Sequence, residues 1–138
     1  MKEPVWLTRE DALAAHEMML SQHGGLAGVR DEGLLESDLS KHQNRFAYGT
    51  PTMVELAASY AAGIILNHPF LDGNKRTGFL LAVGFLEVNG YEFFADEPTV
   101  VERTLALAAH AIAEKDYAVW LAKNSRTVGS RKNKRHGR

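Results

Sequence analysis

Two apolar stretches with helical periodicity, separated by a short polar segment, constrain the fold of this 138-residue chain most strongly. Residues spaced by three and four positions share one face of an α-helix, so each stretch predicts a helix with a buried face. The polar segment, residues 68–77, is therefore predicted to be a loop that joins two buried helices. The periodic apolar positions are Met53, Leu56, Ala57, Tyr60, Ala61 and Ile64 before the loop, and Phe79, Leu80, Val83 and Leu86 after it.

The second half of this loop has the features of an anion-binding site. The first N–H groups of a helix have no partner within the helix and lie at the positive end of its dipole. Gly73 allows a tight turn before them, and Lys75 and Arg76 add fixed positive charge. We expect a phosphate group here, with the planar guanidinium of Arg76 contacting two phosphate oxygens.

The first half of the loop carries groups suited to phosphoryl transfer. Histidine accepts a proton near neutral pH, so His68 is a candidate base for a hydroxyl that attacks phosphorus. Asp72 offers hard carboxylate oxygens to a Mg²⁺ ion shared with phosphate. Pro69 disfavours helix at the preceding residue, which places the imidazole where the first helix has just ended. Phe70 is interpreted as an apolar plug that fixes the loop to the core.

A structural interpretation of the same residues stays open at this point. Residues 72–74 have the composition of an ordinary turn, and Lys75 and Arg76 could be solvated surface charges. A histidine after an apolar run, such as His68, is often a packed or capping residue. A base, a carboxylate and an arginine in one short loop nevertheless favour a functional site.

The loop resembles the signature of the Fic/Doc superfamily, which reads His-x-Phe-x-(Asp/Glu)-(Gly/Ala)-Asn-(Gly/Lys)-Arg. The matching positions are His68, Phe70, Asp72, Gly73, Asn74, Lys75 and Arg76. Residues 28–37 also resemble the Doc-like, "death on curing" toxin branch, so the likeness extends over residues 5–122. That branch has lysine at the position of Lys75, whereas it has alanine at the position of Gly73.

The resemblance implies an all-α fold, a helical bundle around a central helix–loop–helix with a small β-hairpin flap. It implies that His68 is the general base, that Asp72 is the magnesium ligand and that Arg76 holds the distal phosphates of ATP. The implied anion hole comprises Gly73, Asn74 and Lys75.

By the same resemblance, we expect the toxin of a toxin–antitoxin pair. Its activity would be that of an ATP-dependent protein kinase that phosphorylates a threonine of elongation factor Tu and arrests translation. An AMP transferase of the Fic type, acting on a protein hydroxyl, is the close alternative, because one anion hole and metal serve both reactions. A catalytically silent helical binding module is a second alternative, although no residue of the active loop has been lost. A zinc hydrolase is disfavoured, because His68 has no second histidine at helical spacing.

Self-inhibited members of the family carry a helix with the pattern (Ser/Thr)-x-x-x-Glu-(Gly/Asn). The one candidate ending in this sequence is Glu32-Gly33, and Gly28 stands where the serine or threonine belongs. We therefore expect inhibition by a separate antitoxin of the Phd kind.

Composition and charge suggest where the protein acts. The chain has no cysteine, which excludes disulfides and thiolate catalysis, and no signal peptide is recognisable, so we expect a cytoplasmic protein. Apolar runs such as residues 61–66 are too short to span a bilayer, so we expect no membrane association.

The charged residues divide the chain into two parts. The last sixteen residues contain seven Lys or Arg and no acid, whereas residues 1–122 contain nine basic and seventeen acidic residues, a formal charge of −8. We expect a catalytic domain over residues 1–122 and a basic, disordered tail over residues 123–138. Nucleic-acid binding is expected only as weak contact through that tail.

Local patterns predict the remaining elements. A helix over residues 8–22, capped by Thr8 and ended by Gly24, carries His16 as a core histidine with a hydrogen-bond partner. The pair Arg30-Asp31 is interpreted as the capped start of a helix that ends near residue 40. The other predictions are a loop or hairpin flap over residues 43–52, a strand over 91–94 that pairs with 5–7, and helices over 98–113 and 115–123.

Overall fold

The computed structural model describes residues 2–128 and consists of six helices and one small antiparallel sheet. The helices are α1 (Arg9–His23), α2 (Glu32–Ala47), α3 (Met53–Asn67), α4 (Asn74–Val88), α5 (Glu97–Ala108) and α6 (Glu114–Lys123). The strands are β1 (Tyr91–Phe93) and β2 (Ser125–Thr127). The predicted all-α bundle around a central helix–loop–helix is confirmed.

Helix α3 is the centre of the bundle, because it is apolar on nearly all sides. All residues from Leu56 to Ile65 are buried, and α3 packs against α2, α4, α5 and α6. Helix α4 forms an antiparallel hairpin with α3, so the connecting loop lies at one end of the most buried helix pair. Among residues 2–128, no helix is both long and apolar enough to cross a bilayer.

The predicted helix starts are confirmed by their caps. Thr8 and Asp11 form a reciprocal capping box at α1, which ends at Gly24 with φ of 75°. The side chain of Asp31 accepts a hydrogen bond from the N–H of Leu34 at the start of α2. Thr52 and Glu55 form a second capping box at α3.

The prediction of a loop or hairpin flap over residues 43–52 was wrong for residues 43–47, because α2 continues to Ala47; residues 48–52 form a loop without a strand. Phe46 lies in helical register with Leu39 and His42, and its ring contacts Trp6 edge-on at a centroid distance of 5.7 Å. This packing explains why the residue is helical and not part of an alternating strand. Tyr48, the other aromatic of the pattern, is 90% exposed in the turn that follows.

The small β element of the fold is present, but at another place. Strand β1 pairs with β2 and not with residues 5–7, as Tyr91 lies opposite Thr127. The backbone of Val5 instead bonds the side-chain amide of Asn89, at 2.8 Å for its N–H and 3.0 Å for its carbonyl.

The described structure continues past residue 122, where the catalytic domain was predicted to end. Strand β2 follows α6 directly, and Val128 is buried, with its N–H donating to the carbonyl of Gly90 at 2.7 Å. The rest of the basic segment predicted as a tail, residues 129–138, lies outside the described residues.

Candidate active site

The loop between α3 and α4 begins at His68, which is the C-terminal cap of α3. Its backbone is left-handed, with φ of 52° and ψ of 56°, and its N–H donates to the carbonyl of Ile64. The side chain is exposed. The prediction that the imidazole stands where the helix has just ended is confirmed.

Phe70 and Asn74 close the loop on itself. The side-chain amide of Asn74 accepts from the N–H of Phe70 and donates to its carbonyl, both at 3.0 Å. Phe70 is 1% exposed, as an apolar plug requires. Because the Asn74 side chain is turned toward Phe70, this residue shapes the loop through its side chain, and its backbone N–H is left for a ligand.

His16 supports the loop from α1. Its ring stacks on Phe70 at 4.0 Å, and its Nε2 lies 2.9 Å from the carbonyl oxygen of Asp72. A carbonyl only accepts, so Nε2 carries the proton. The predicted core histidine with a hydrogen-bond partner is confirmed, and its partner is the backbone of the candidate site.

The carboxylate of Asp72 is oriented by two backbone donors. Oδ1 accepts from the N–H of Gly73 at 2.9 Å, and Oδ2 accepts from the N–H of Leu26 at 3.2 Å. Each oxygen retains a second lone pair. Mg²⁺ bound with a nucleotide needs only one or two protein carboxylates, so Asp72 fits that requirement. Within residues 2–128, no group of three His, Asp or Glu side chains could hold a metal without a nucleotide.

Gly73 lets α1 approach the loop closely. It has φ of 74°, and a Cβ added to it would lie 1.8 Å from Cε of Met19. A side chain at this position would therefore have to displace Met19 as well as adopt left-handed backbone.

The N-terminus of α4 has no side-chain cap. The first backbone hydrogen bond of α4 is donated by the N–H of Thr77 to the carbonyl of Gly73, at 3.0 Å. The N–H groups of Asn74, Lys75 and Arg76 precede it and have no partner within the helix. This is the geometry of an anion site, strengthened by the positive end of the α4 dipole.

Lys75 and Arg76 are among the residues that line a cleft of about 390 Å³ between α1, α4 and α5. The guanidinium of Arg76 is half exposed, with Nη1 3.6 Å from Oε1 of Glu97 across the cleft. The cleft walls are largely apolar, with Met19, Phe79, Leu80, Phe93, Val100 and Leu105 among them. Neither His68 nor Asp72 is among the described residues that line this space.

Sequence reasoning missed the contacts of Arg30. The segment before α2 runs antiparallel to the loop through a bridge between Val29 and Phe70. From this position the Arg30 side chain donates to the carbonyls of His68, at 2.6 Å, and Asn67, at 2.8 Å. Every residue type carries a backbone carbonyl, so the sequence does not indicate which carbonyls Arg30 binds. Pro69 indicates only that the end of α3 lacks one of its usual backbone donors.

A buried polar cluster lies behind the loop, between α2 and α3. Asp38 is 1% exposed, and its Oδ1 accepts from Nδ2 of Asn67 at 2.6 Å. Burial raises the pKa of Asp38. Burial also lowers the pKa of His42 to about 4, so its ring is neutral, with Nε2 donating to the carbonyl of Asp38 and Nδ1 accepting from Ser59.

Comparison with known proteins gives a family match that covers this loop. The family model of the Fic/DOC family matches residues 6–86. The protein named Protein kinase doc, from Escherichia phage P1, is 34% identical over 113 residues, which cover 81% of this chain and 89% of that protein. Toxin Doc of Mycolicibacterium smegmatis is 37% identical over 94 residues, which cover 66% of this chain and 69% of that protein.

Proposed function

The chain belongs to the Fic/DOC family, and we propose that it is the toxin of a toxin–antitoxin pair and acts as a protein kinase. The donor is ATP with Mg²⁺, the acceptor is a threonine hydroxyl of elongation factor Tu, and the effect is arrested translation. The site of action is the cytoplasm. The names of the two relatives, a protein kinase and a toxin, support this proposal.

The observation that carries the kinase assignment is the position of the cleft. It lies at the Lys75–Arg76 end of the loop and away from His68. Its apolar walls suit a nucleoside, and its cationic end suits the phosphates attached to it. With the nucleoside in this cleft, the α-phosphate lies toward Arg76 and the γ-phosphate extends toward His68. Arg76 then contacts the proximal phosphates, and not the distal ones that the family resemblance implies. An AMP transferase needs the α-phosphate beside the base.

In the proposed reaction, His68 takes the proton of the acceptor hydroxyl as its oxygen attacks the γ-phosphorus. The new O–P bond forms while the bond from the γ-phosphorus to the bridging oxygen breaks, and ADP leaves with the electron pair. The N–H groups at the start of α4, with Lys75 and Arg76, stabilise the charge that moves onto the phosphate oxygens. Asp72 would hold Mg²⁺, which neutralises phosphate charge when bound.

Control by a separate antitoxin of the Phd kind is part of the proposal. The pattern of the family's inhibitory helix is missing from the sequence, since Gly28 stands at the position of its serine or threonine. The proposed inhibitor of this active site is therefore a second protein chain.

Intact mass spectrometry tests the proposal. Elongation factor Tu is incubated with the protein, ATP and Mg²⁺, and His68→Ala serves as the control. A gain of about 80 Da that is lost in the mutant supports the kinase. A gain of about 329 Da supports AMP transfer, the alternative that Gly73 favours because glycine at this position belongs to the AMP-transferring pattern. A gain that His68→Ala leaves unchanged, or no gain, contradicts the proposal.

A further inference from the structure

Helix α3 ends in front of a proline, which leaves its last carbonyls short of backbone donors. In the common C-terminal caps, N–H groups of the residues after the helix bond those carbonyls. Pro69 has no N–H, and the N–H of Phe70 is used by the side chain of Asn74. The N–H of His68 still bonds the carbonyl of Ile64, but the two residues that follow supply no donor to the later carbonyls at this end of α3.

Arg30 supplies the missing donors. Its Nε donates to the carbonyl of His68 at 2.6 Å, and its Nη2 donates to that of Asn67 at 2.8 Å. The backbone N–H groups of Arg30 and Asp31 both donate to the next carbonyl, that of Pro69, at 2.6 and 3.1 Å. Three consecutive carbonyls are thus held by two consecutive residues. The positive charge of the guanidinium also faces the negative end of the α3 dipole.

The backbone that carries Arg30 is itself held in place. The carbonyl of Gly28 accepts from the N–H of Leu71 at 3.0 Å, and Asp31 is the N-terminal cap of α2. Within residues 2–128, no carboxylate lies within salt-bridge distance of the Arg30 guanidinium. The Arg30 side chain donates its hydrogen bonds to backbone carbonyls, so it holds the backbone in position and does not neutralise a carboxylate.

The two carbonyls that the side chain binds belong to the peptide planes on either side of the His68 Cα atom. Peptide units are planar, so the orientation of these two planes defines φ and ψ of His68. These angles are left-handed, a conformation that costs about 1 kcal/mol or more in a residue with a Cβ atom. Without the contacts from Arg30, the backbone of His68 would relax from the left-handed conformation, and its Cα–Cβ bond would change direction.

We propose that Arg30 is a positioning residue: by holding both peptide planes that flank His68, it fixes the direction from which the imidazole reaches the acceptor hydroxyl. This inference rests on the proposed function, in which His68 is the base. The chemistry requires a base within hydrogen-bond reach of the proton that it removes, so a small rotation at this Cα atom lowers the rate.

Kinetics of Arg30→Met, Arg30→Lys and a matched arginine control test this proposal. We expect Arg30→Met to lower kcat by about 10- to 100-fold while KM for ATP stays within about two-fold, since the cleft and anion site are untouched. Arg30→Lys, with a cation but no planar fork, should give an intermediate kcat. Arg9→Met is the control, because Arg9 forms a bidentate pair with Glu32 at the same end of α2 and, within residues 2–128, makes no hydrogen bond or ion pair with the loop. It should keep the wild-type kcat.

A second readout separates this proposal from the proposed function. NMR chemical shifts report φ of His68 without any substrate, and we expect φ to leave the left-handed region in Arg30→Met. An unchanged φ, a wild-type kcat in Arg30→Met, or an equal loss of kcat and ATP affinity overturns the positioning role. If Arg30→Met does not fold, Arg30→Lys decides through the same two measurements. A wild-type protein that modifies no elongation factor Tu contradicts the proposed function, and the NMR result then decides the role of Arg30.

Discussion

Glu97 places a carboxylate beside Arg76, where the phosphates of a nucleotide are proposed to bind. The pair is long, at 3.6 Å, and exposed, with 45% and 74% of the two side chains accessible. Such pairs stabilise a protein by about 1 kcal/mol at most, so a phosphate displaces Glu97 readily. Its negative charge nevertheless opposes the binding of an anion in the same cleft.

Glu97→Gln should therefore bind ATP about two- to five-fold more tightly than the wild type. Glu102→Gln is the matched control, because Glu102 lies on the same helix, carries the same charge and pairs with Arg103 outside the cleft. Titration calorimetry at low salt measures both affinities, and added salt should reduce the difference because the effect is electrostatic. Equal affinities for the two variants would contradict the assignment of the cleft to the nucleotide.

At the scale of the elements, the packing of α3 against α4 depends on Gly78. A Cβ at this position would lie 2.7 Å from Cγ1 of Ile65 and 3.0 Å from the carbonyl oxygen of Ala61. Gly84 lies on the same helix, but a Cβ there would meet nothing within 4 Å. The two glycines therefore differ in packing and share their helical backbone.

We predict opposite effects of alanine at these two sites. Gly78→Ala should lower the free energy of unfolding by about 1–3 kcal/mol, because it overpacks the helix crossing. Gly84→Ala should raise it by about 0.5–1 kcal/mol through helix propensity alone. Urea denaturation measures both changes, and destabilisation by Gly84→Ala would show that the helix pair tolerates substitution poorly at any position.

The contact between α2 and α3 makes stability depend on pH through His42. Its pKa is about 4 in the folded protein and near 6.5 in the unfolded chain, so the unfolded chain binds the extra proton. The stabilisation is complete above about pH 6.5, falls as the pH decreases toward 4 and is then constant. The loss should be on the order of 3 kcal/mol. Asp38 acts in the opposite direction, because its raised pKa makes the folded state take up a proton more readily.

Urea denaturation at several pH values between about 4 and 8 should show this loss in the wild type and a much smaller one in His42→Gln. His110→Asn is the control, since His110 is exposed and its left-handed backbone suits asparagine. The control should retain the wild-type pH dependence. A wild-type slope in His42→Gln would assign the pH dependence to another group.

At the scale of the whole molecule, the short sheet fastens the C-terminal part of the chain to the bundle. Strand β2 pairs with β1, the N–H of Phe94 donates to the carbonyl of Asn124, and Val128 is buried. A chain that ends at Ala122 should be about 2–4 kcal/mol less stable than one that ends at Val128, since it loses these hydrogen bonds and the burial of a valine. Thermal denaturation of the two truncated chains measures the difference. Equal stability would show that the catalytic domain ends at residue 122, as the charge pattern predicts.

The sequence predicted the parts of this molecule that depend on local patterns. The two central helices, the loop between them and the N-terminal caps of α1 and α2 follow from periodicity and from residue types at fixed spacing. The length of α2 was missed because residues 43–52 lack helical periodicity, whereas in the structure Phe46 packs against the core from the last turn of the helix. The partner of β1 was missed because pairing between distant segments leaves no local signal. Arg30 was missed because it binds backbone atoms.

The many anchors of the loop also bear on how fast the protein can meet its ligands. Residues 68–73 are held by Arg30, His16 and Asn74 before anything binds. Little conformational entropy is then lost when a ligand binds to these residues. A ligand of the right shape can bind without waiting for the loop to change conformation. We therefore do not expect an inhibitor to act by binding an open form of this loop. It must compete for the surface itself, so inhibition should be relieved as soon as the inhibitor dissociates.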